Sequence, residues 1–151
     1  MKLILSICLL WLVYDCYQPN VHPIPFVQIH IKDEVKEQVE WLKARGWNAR
    51  MPSEIRTIPR EQIQQMVLKS KAAGACHDGV IFLGDQINYK TSILHASVLL
   101  HELVHIAQNG CAIPKDSVER TIFETQAYEM QKEWLREQGI EATFRGVQDN
   151  E

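Results

Sequence analysis

The sequence predicts an α+β domain, mostly helical, with a short sheet packed on a central helix. Three observations carry this. The chain has 151 residues, 46% hydrophobic and 23% charged, which is the size and balance of one compact domain with a real core rather than a disordered chain. Val80 to Leu83 is an unbroken apolar run between Gly79 and Gly84, the pattern of a buried strand. From Ile93 to Ala107 apolar residues recur on most sides of a helical turn, including Leu94, Val98, Leu99, Leu100, Leu103, Val104 and Ile106. Such a helix belongs in the middle of a domain, not on its surface.

The remaining elements follow in chain order. Met1-Lys2 precedes an apolar run from Leu3 to Tyr14, broken at Asp15. One basic residue and then an apolar stretch match the first two regions of a secretory signal. The run is short of the roughly 20 residues a membrane span needs. The expectation is a leader over 1–17, a domain over 18–151, and an exported protein, whether periplasmic, secreted or tethered by an uncleaved N-terminus. No stable membrane span is expected in the mature chain. No small-x-small triplet marks the cleavage point, and a buried N-terminal helix or strand is the other reading. Gln18 to Pro25 reads as a linker. Asp33 caps a helix to about Arg45, with Val35, Val39 and Leu42 on one face and Gly46 as its stop. Glu54 to Ile58 is a candidate strand. Pro59 suits the first turn of a helix striped by Ile63, Met66 and Val67 that ends near Gly74. Thr91 or Ser92 caps the central helix and Gly110 stops it. Asp116, with Glu119 three residues on, starts a last long helix that runs to about Glu137. The tail after Arg145 is polar.

Charge and cysteine content narrow the function. A net charge of −3 lacks the basic footprint of nucleic-acid binding, and none is expected. Of the four cysteines, Cys8 and Cys16 fall in or beside the leader. Cys76 and Cys111 remain, and export invites a disulfide between them; two buried thiols are the alternative. The absence of any Cys-x2-Cys pair argues against a cysteine zinc site.

The chemistry sits on the central helix. His101 and His105 are four residues apart, so their imidazoles leave the same face and can share one tetrahedral zinc. Glu102 leaves the helix about 100° round from His101. It is poorly placed as a ligand from the same turn but can reach a zinc-activated water as general base. The motif occurs by chance often enough that context must decide, and the context is favourable. Two histidines and a glutamate are costly on a central apolar helix unless paired or metallated. The third ligand must come from elsewhere. On the last helix Glu124 shares a face with Ala127 and Tyr128, whereas Glu119, Glu129 and Glu133 fit solvent-facing positions. Glu124 is the candidate, with pairing to a basic residue or a histidine as the other explanation.

This arrangement resembles the gluzincin branch of the zincin metallopeptidases: His101-Glu102-Leu103-Val104-His105, then a helix bearing Glu124 nineteen residues past His105. More closely, it is similar to a group of short, exported, uncharacterised bacterial zincin-like proteins. The shared features are the strand at Val80–Leu83, Ser92, Leu94, the zinc motif, Gln108, Cys111, and Glu124 with Ala127, Tyr128, Gln131, Trp134 and Leu135. The similarity covers roughly residues 50 to 138. The resemblance implies a small zincin-like domain holding one zinc ion (Zn2+) per chain on His101, His105 and Glu124, with Glu102 as the base and a peptide or protein as substrate. It also implies that Val80–Leu83 is the sheet's edge strand above the zinc helix, where peptide substrates add by main-chain hydrogen bonds. The large gluzincins carry an oxyanion-stabilising residue in a C-terminal lobe, and no such lobe is expected after Gly139. Tyr128 is the nearest substitute, with packing as its simpler role.

Lesser expectations complete the reading. Gln108 and Gln131 are candidate hydrogen-bonding supports for the zinc helix. His95 faces away from the motif, His77 and Asp78 read as loop residues, His22 and His30 carry no case, and Trp134 is core. A Cys76–Cys111 bridge would hold the loop between the two ligand-bearing helices to the strand region. Two rival functions stand beside a zinc peptidase. One is a non-catalytic zinc-containing binding or structural module with a relic site, against which the intact Glu102 argues. The other is a cytosolic protease of the kind that cleaves repressors, which would keep both cysteines reduced.

Overall fold

The computed structural model describes residues 34–67, 72–112, 114 and 116–142. The expected leader, the linker, the Asp33 cap, His22, His30, Cys8, Cys16 and the tail after Arg145 lie outside them. The described residues form four helices and a three-stranded sheet in the order α1 (Glu34–Lys43), β1 (Glu54–Ile58), α2 (Arg60–Val67), β2 (Gly74–His77), β3 (Val80–Gly84), α3 (Ile93–Asn109) and α4 (Ser117–Glu137). This is the expected α+β class with a short sheet on a central helix.

The sheet order is β1-β3-β2, with β1 parallel and β2 antiparallel to β3. Two expectations are corrected here. No strand was expected at Gly74–His77, where the preceding helical stripe was read as ending near Gly74. And Val80–Leu83 is the central strand, not the edge. The cause of both is one tight hairpin. His77 pairs with Val80, which leaves Asp78-Gly79 as a two-residue turn with both residues at positive φ, 47° and 76°. That is the backbone a type I′ turn requires and the reason Asp-Gly favours it. The turn folds Gly74–His77 back along the outer side of β3, so β2 takes the edge beside α3. His77, expected in a loop, closes this strand.

The pleat then divides the side chains between two helices. Ile81 and Leu83 are fully buried in the main core with Val98, Leu99, Leu100, Leu103 and Val104 of α3. Phe82 and Ala75 face the other way, onto a smaller core with Ile63 of α2 and Ala72. Gly74 and Cys76 stand opposite Leu83 and Ile81, so they share the face turned to α3.

α3 touches α1, α4, β2 and β3, which explains why it is apolar nearly all round. Its ends are locally encoded. Ser92 accepts a hydrogen bond from the His95 amide, and Gly110 closes the helix in the left-handed conformation. Cys111 is left-handed as well, at φ 71°, so the chain turns sharply and Cys111 forms a disulfide with Cys76. Asp116 caps α4 by accepting from the Val118 and Glu119 amides. α1 is fixed to α3 by Gln38, whose buried amide donates to the Ala96 carbonyl at 2.8 Å. It is fixed to α4 by Arg45, which lies over the Trp41 ring and pairs with Glu133 and Glu137.

Candidate metal centre

α3 and α4 together bring His101, His105 and Glu124 to one point. The two Nε2 atoms are 3.1 Å apart. Glu124 places one oxygen 3.5 Å from His101 Nε2 and the other 3.8 Å from His105 Nε2. Donors about 2.0–2.1 Å from a tetrahedral ion lie roughly 3.3–3.4 Å from one another, so the observed spacing brackets what a small divalent ion needs. His101 is 5% exposed, and His105 and Glu124 are half-buried. These three residues form a group that could hold a metal ion.

His105 is oriented from behind. Gln108, one turn past His105, donates Nε2 to the Phe123 carbonyl at 2.9 Å. A carbonyl only accepts, so the Gln108 oxygen must face His105 Nδ1, 2.8 Å away. Nδ1 therefore carries the proton, and Nε2 points its lone pair at the shared point. Gln131, on the facing helix, is fully buried. Its Nε2 donates to Ser97 Oγ at 2.8 Å, and that hydroxyl donates to the Leu94 carbonyl at 2.7 Å. Among the described residues, Gln131 Oε1 and His101 Nδ1 are both buried without a hydrogen-bond partner. The sequence pointed to both glutamines as supports of this helix; Gln108 bonds His105, and Gln131 bonds Ser97.

Electrostatics favour positive charge at this point. Burial of His101 opposes an imidazolium, but the hydrogen bond and charge of Glu124, with Glu102 and Gln131 behind it, outweigh burial and raise its pKa. Two carboxylates around a buried imidazole make a place where a cation is stabilised. Tyr128 packs its ring on His101, centroids 4.6 Å apart. Burial, with the charges of Glu124 and Glu102, pushes its phenol strongly upward, so it stays protonated.

Glu102 is 5% exposed and lies outside the three-donor group. Its carboxylate rests over the backbone of Gly74 on the edge strand. A Cβ built on Gly74 would come within 2.7 Å of Glu102 Oε1, so this approach needs a glycine. Gly74 was not singled out from the sequence. The Asp78-Gly79 turn is the signal that would have placed a strand there, although only the register shows that Gly74 meets Glu102. All four motif residues line a cleft of about 310 Å³ whose far wall includes β2 and the disulfide. His95 lies elsewhere, accepting the Asn88 amide on Nδ1. His77 and Asp78 pair with each other at the hairpin, outside the cleft lining.

Residues 29–148 match a family described as a domain of unknown function, DUF6647. The chain belongs to the DUF6647 family. The matched span of this DUF6647 domain takes in α3, α4, the edge strand and both cysteines of the disulfide. Neither the curated proteins nor the solved structures contain a match to it.

Proposed function

We propose that this domain is a zinc-dependent hydrolase, a small exported metallopeptidase of the gluzincin type that acts on a peptide or protein substrate. The observation that carries the reading is the second carboxylate, Glu102. Glu102 is buried in the cleft wall beside the donor group without belonging to it. A purely structural site has no use for such a base. His101, His105 and Glu124 would hold the ion, and their nitrogen and oxygen donors suit zinc. Zinc bound there supplies Lewis-acid polarisation of the scissile carbonyl and a lowered pKa for water. Glu102 takes the proton from the attacking water and is placed to return it to the leaving amine. Gln108 keeps the His105 imidazole in the ligating tautomer. The outer edge of β2 offers main-chain groups along which an extended substrate can align. The disulfide accords with an oxidising compartment.

The test is digestion of a peptide library by the zinc-loaded protein beside its Glu102→Gln variant. Cleavage that disappears in the variant while its zinc content is unchanged is the expected result. Full zinc loading with no cleavage of any peptide would turn the reading to a non-catalytic zinc module.

A further inference from the structure

We propose that Arg120 makes the cleft selective for a carboxylate on the substrate near the scissile bond, either an acidic side chain or the terminal carboxylate of the peptide. This rests on the hydrolase reading above and names its substrate class.

Arg120 lines the same cleft as His101, Glu102, His105 and Glu124, and it is the only lysine or arginine among the described residues that do. It stands one turn before Glu124 on α4, about 6 Å along the axis and on the same face. Its side chain is pre-set: Nη2 donates to the Pro114 carbonyl at 3.1 Å, which holds the guanidinium against the segment between α3 and α4. A guanidinium has five N–H donors, so most of its capacity is left for another acceptor. Arg120 is exposed, and among the described residues it is in no ion pair. The oxygens of Glu124 are turned to the two histidines instead.

The surroundings fit a carboxylate. Met66, Val67, Phe123 and Pro114 supply apolar parts of the same cleft. A two-pronged arginine–carboxylate contact is stronger and more directional than a neutral hydrogen bond. Overall charge points the same way. Glu102 and Glu124 together balance a divalent ion, so Arg120 leaves the loaded cleft with a net positive charge, which attracts anionic groups.

The experiment measures binding without turnover. Zinc-loaded Glu102→Gln protein, with Arg120 intact or as Arg120→Gln, is titrated with fluorescent peptides matched in length. One carries an acidic side chain and an amidated terminus, one a free terminal carboxylate and no acidic side chain, and one neither. With Arg120 intact, one of the two carboxylate peptides should bind at least about ten-fold tighter than the neutral one, the strength of a charge-assisted pair. Which of the two does so identifies the source of the carboxylate. Arg120→Gln should erase the preference, and Arg120→Lys should restore it only in part, because an ammonium loses the two-pronged geometry. Equal binding of all three peptides, a preference that survives Arg120→Gln, or no binding of any peptide would overturn the proposal. Failure of the hydrolase reading looks different: an Arg120-dependent preference would persist while the Glu102-containing protein cleaves nothing.

Discussion

Gln108 accepts a hydrogen bond from His105 Nδ1 across 2.8 Å, from one turn further along the same helix, and it is itself anchored to the Phe123 carbonyl of the facing helix. The bond therefore ties the tautomer of one histidine to the packing of α3 on α4. Replacing Gln108 by alanine is expected to weaken zinc binding about 10- to 100-fold, the usual cost of losing a support behind a metal-bound imidazole. Competition with a calibrated chelator reads this directly. Gln108→Glu, which keeps an acceptor at the same place, should retain most of the affinity. Unchanged affinity in Gln108→Ala would mean that the helix backbone alone orients His105.

Gly74 and Glu102 give a second prediction. A methyl group at Gly74 would stand 2.7 Å from Glu102 Oε1 and 3.1 and 3.2 Å from its Cγ and Cδ, so the carboxylate must move. Gly74→Ala should lower kcat by roughly ten- to a hundred-fold, because a displacement of about 1 Å at a reacting group is worth that much. Zinc content should stay that of the parent, since Glu102 is outside the donor group. Steady-state kinetics with parallel metal analysis separate the two. An unaltered kcat would show that Glu102 does not work from its place over the edge strand.

The disulfide yields a stability prediction. Cys76 and Cys111 are 35 residues apart in sequence, and closing a loop of that size stabilises a fold by about 3–4 kcal/mol on the chain-entropy account. Cys76→Ser with Cys111→Ser should lower Tm by several degrees or more. Treatment of the parent with reductant should reproduce the shift. The bridge also joins the end of α3 to the edge strand, so peptide cleavage should fall further than zinc binding. Calorimetry of the reduced and oxidised parent checks the first effect, and a Tm indifferent to reductant would contradict it.

Much of this arrangement was legible because its signals are local. The four-residue spacing of His101 and His105, the Ser92 and Asp116 caps and the Gly110 stop each depend on neighbours within one or two turns. Glu124 could be picked from the five glutamates on its helix because it shares the face of Ala127 and Tyr128, both buried in the structure. The pairing of Cys76 with Cys111 was one of two readings, the other being buried thiols, for the two cysteines outside the expected leader. What was not legible depended on tertiary register. Gly74 looks like a helix stop until the Asp78-Gly79 turn is read as a hairpin. Whether β3 is an edge or a centre depends on where β1 and β2 dock, which no local pattern states. Arg120, in the first turns of an amphipathic helix, resembles any solvated charge until α3 and the edge strand close a cleft beside it.

The central claim is that His101, His105 and Glu124 bind one metal ion. Elemental mass spectrometry of the purified protein and of its Glu124→Ala variant tests it most directly. The account predicts about one zinc per chain in the parent and loss or strong weakening of zinc in the variant. A parent protein that takes up no zinc even on reconstitution would contradict it and leave His101 and His105 as hydrogen-bonded core residues; zinc held at full affinity by the variant would contradict the role of Glu124 and move the third ligand elsewhere.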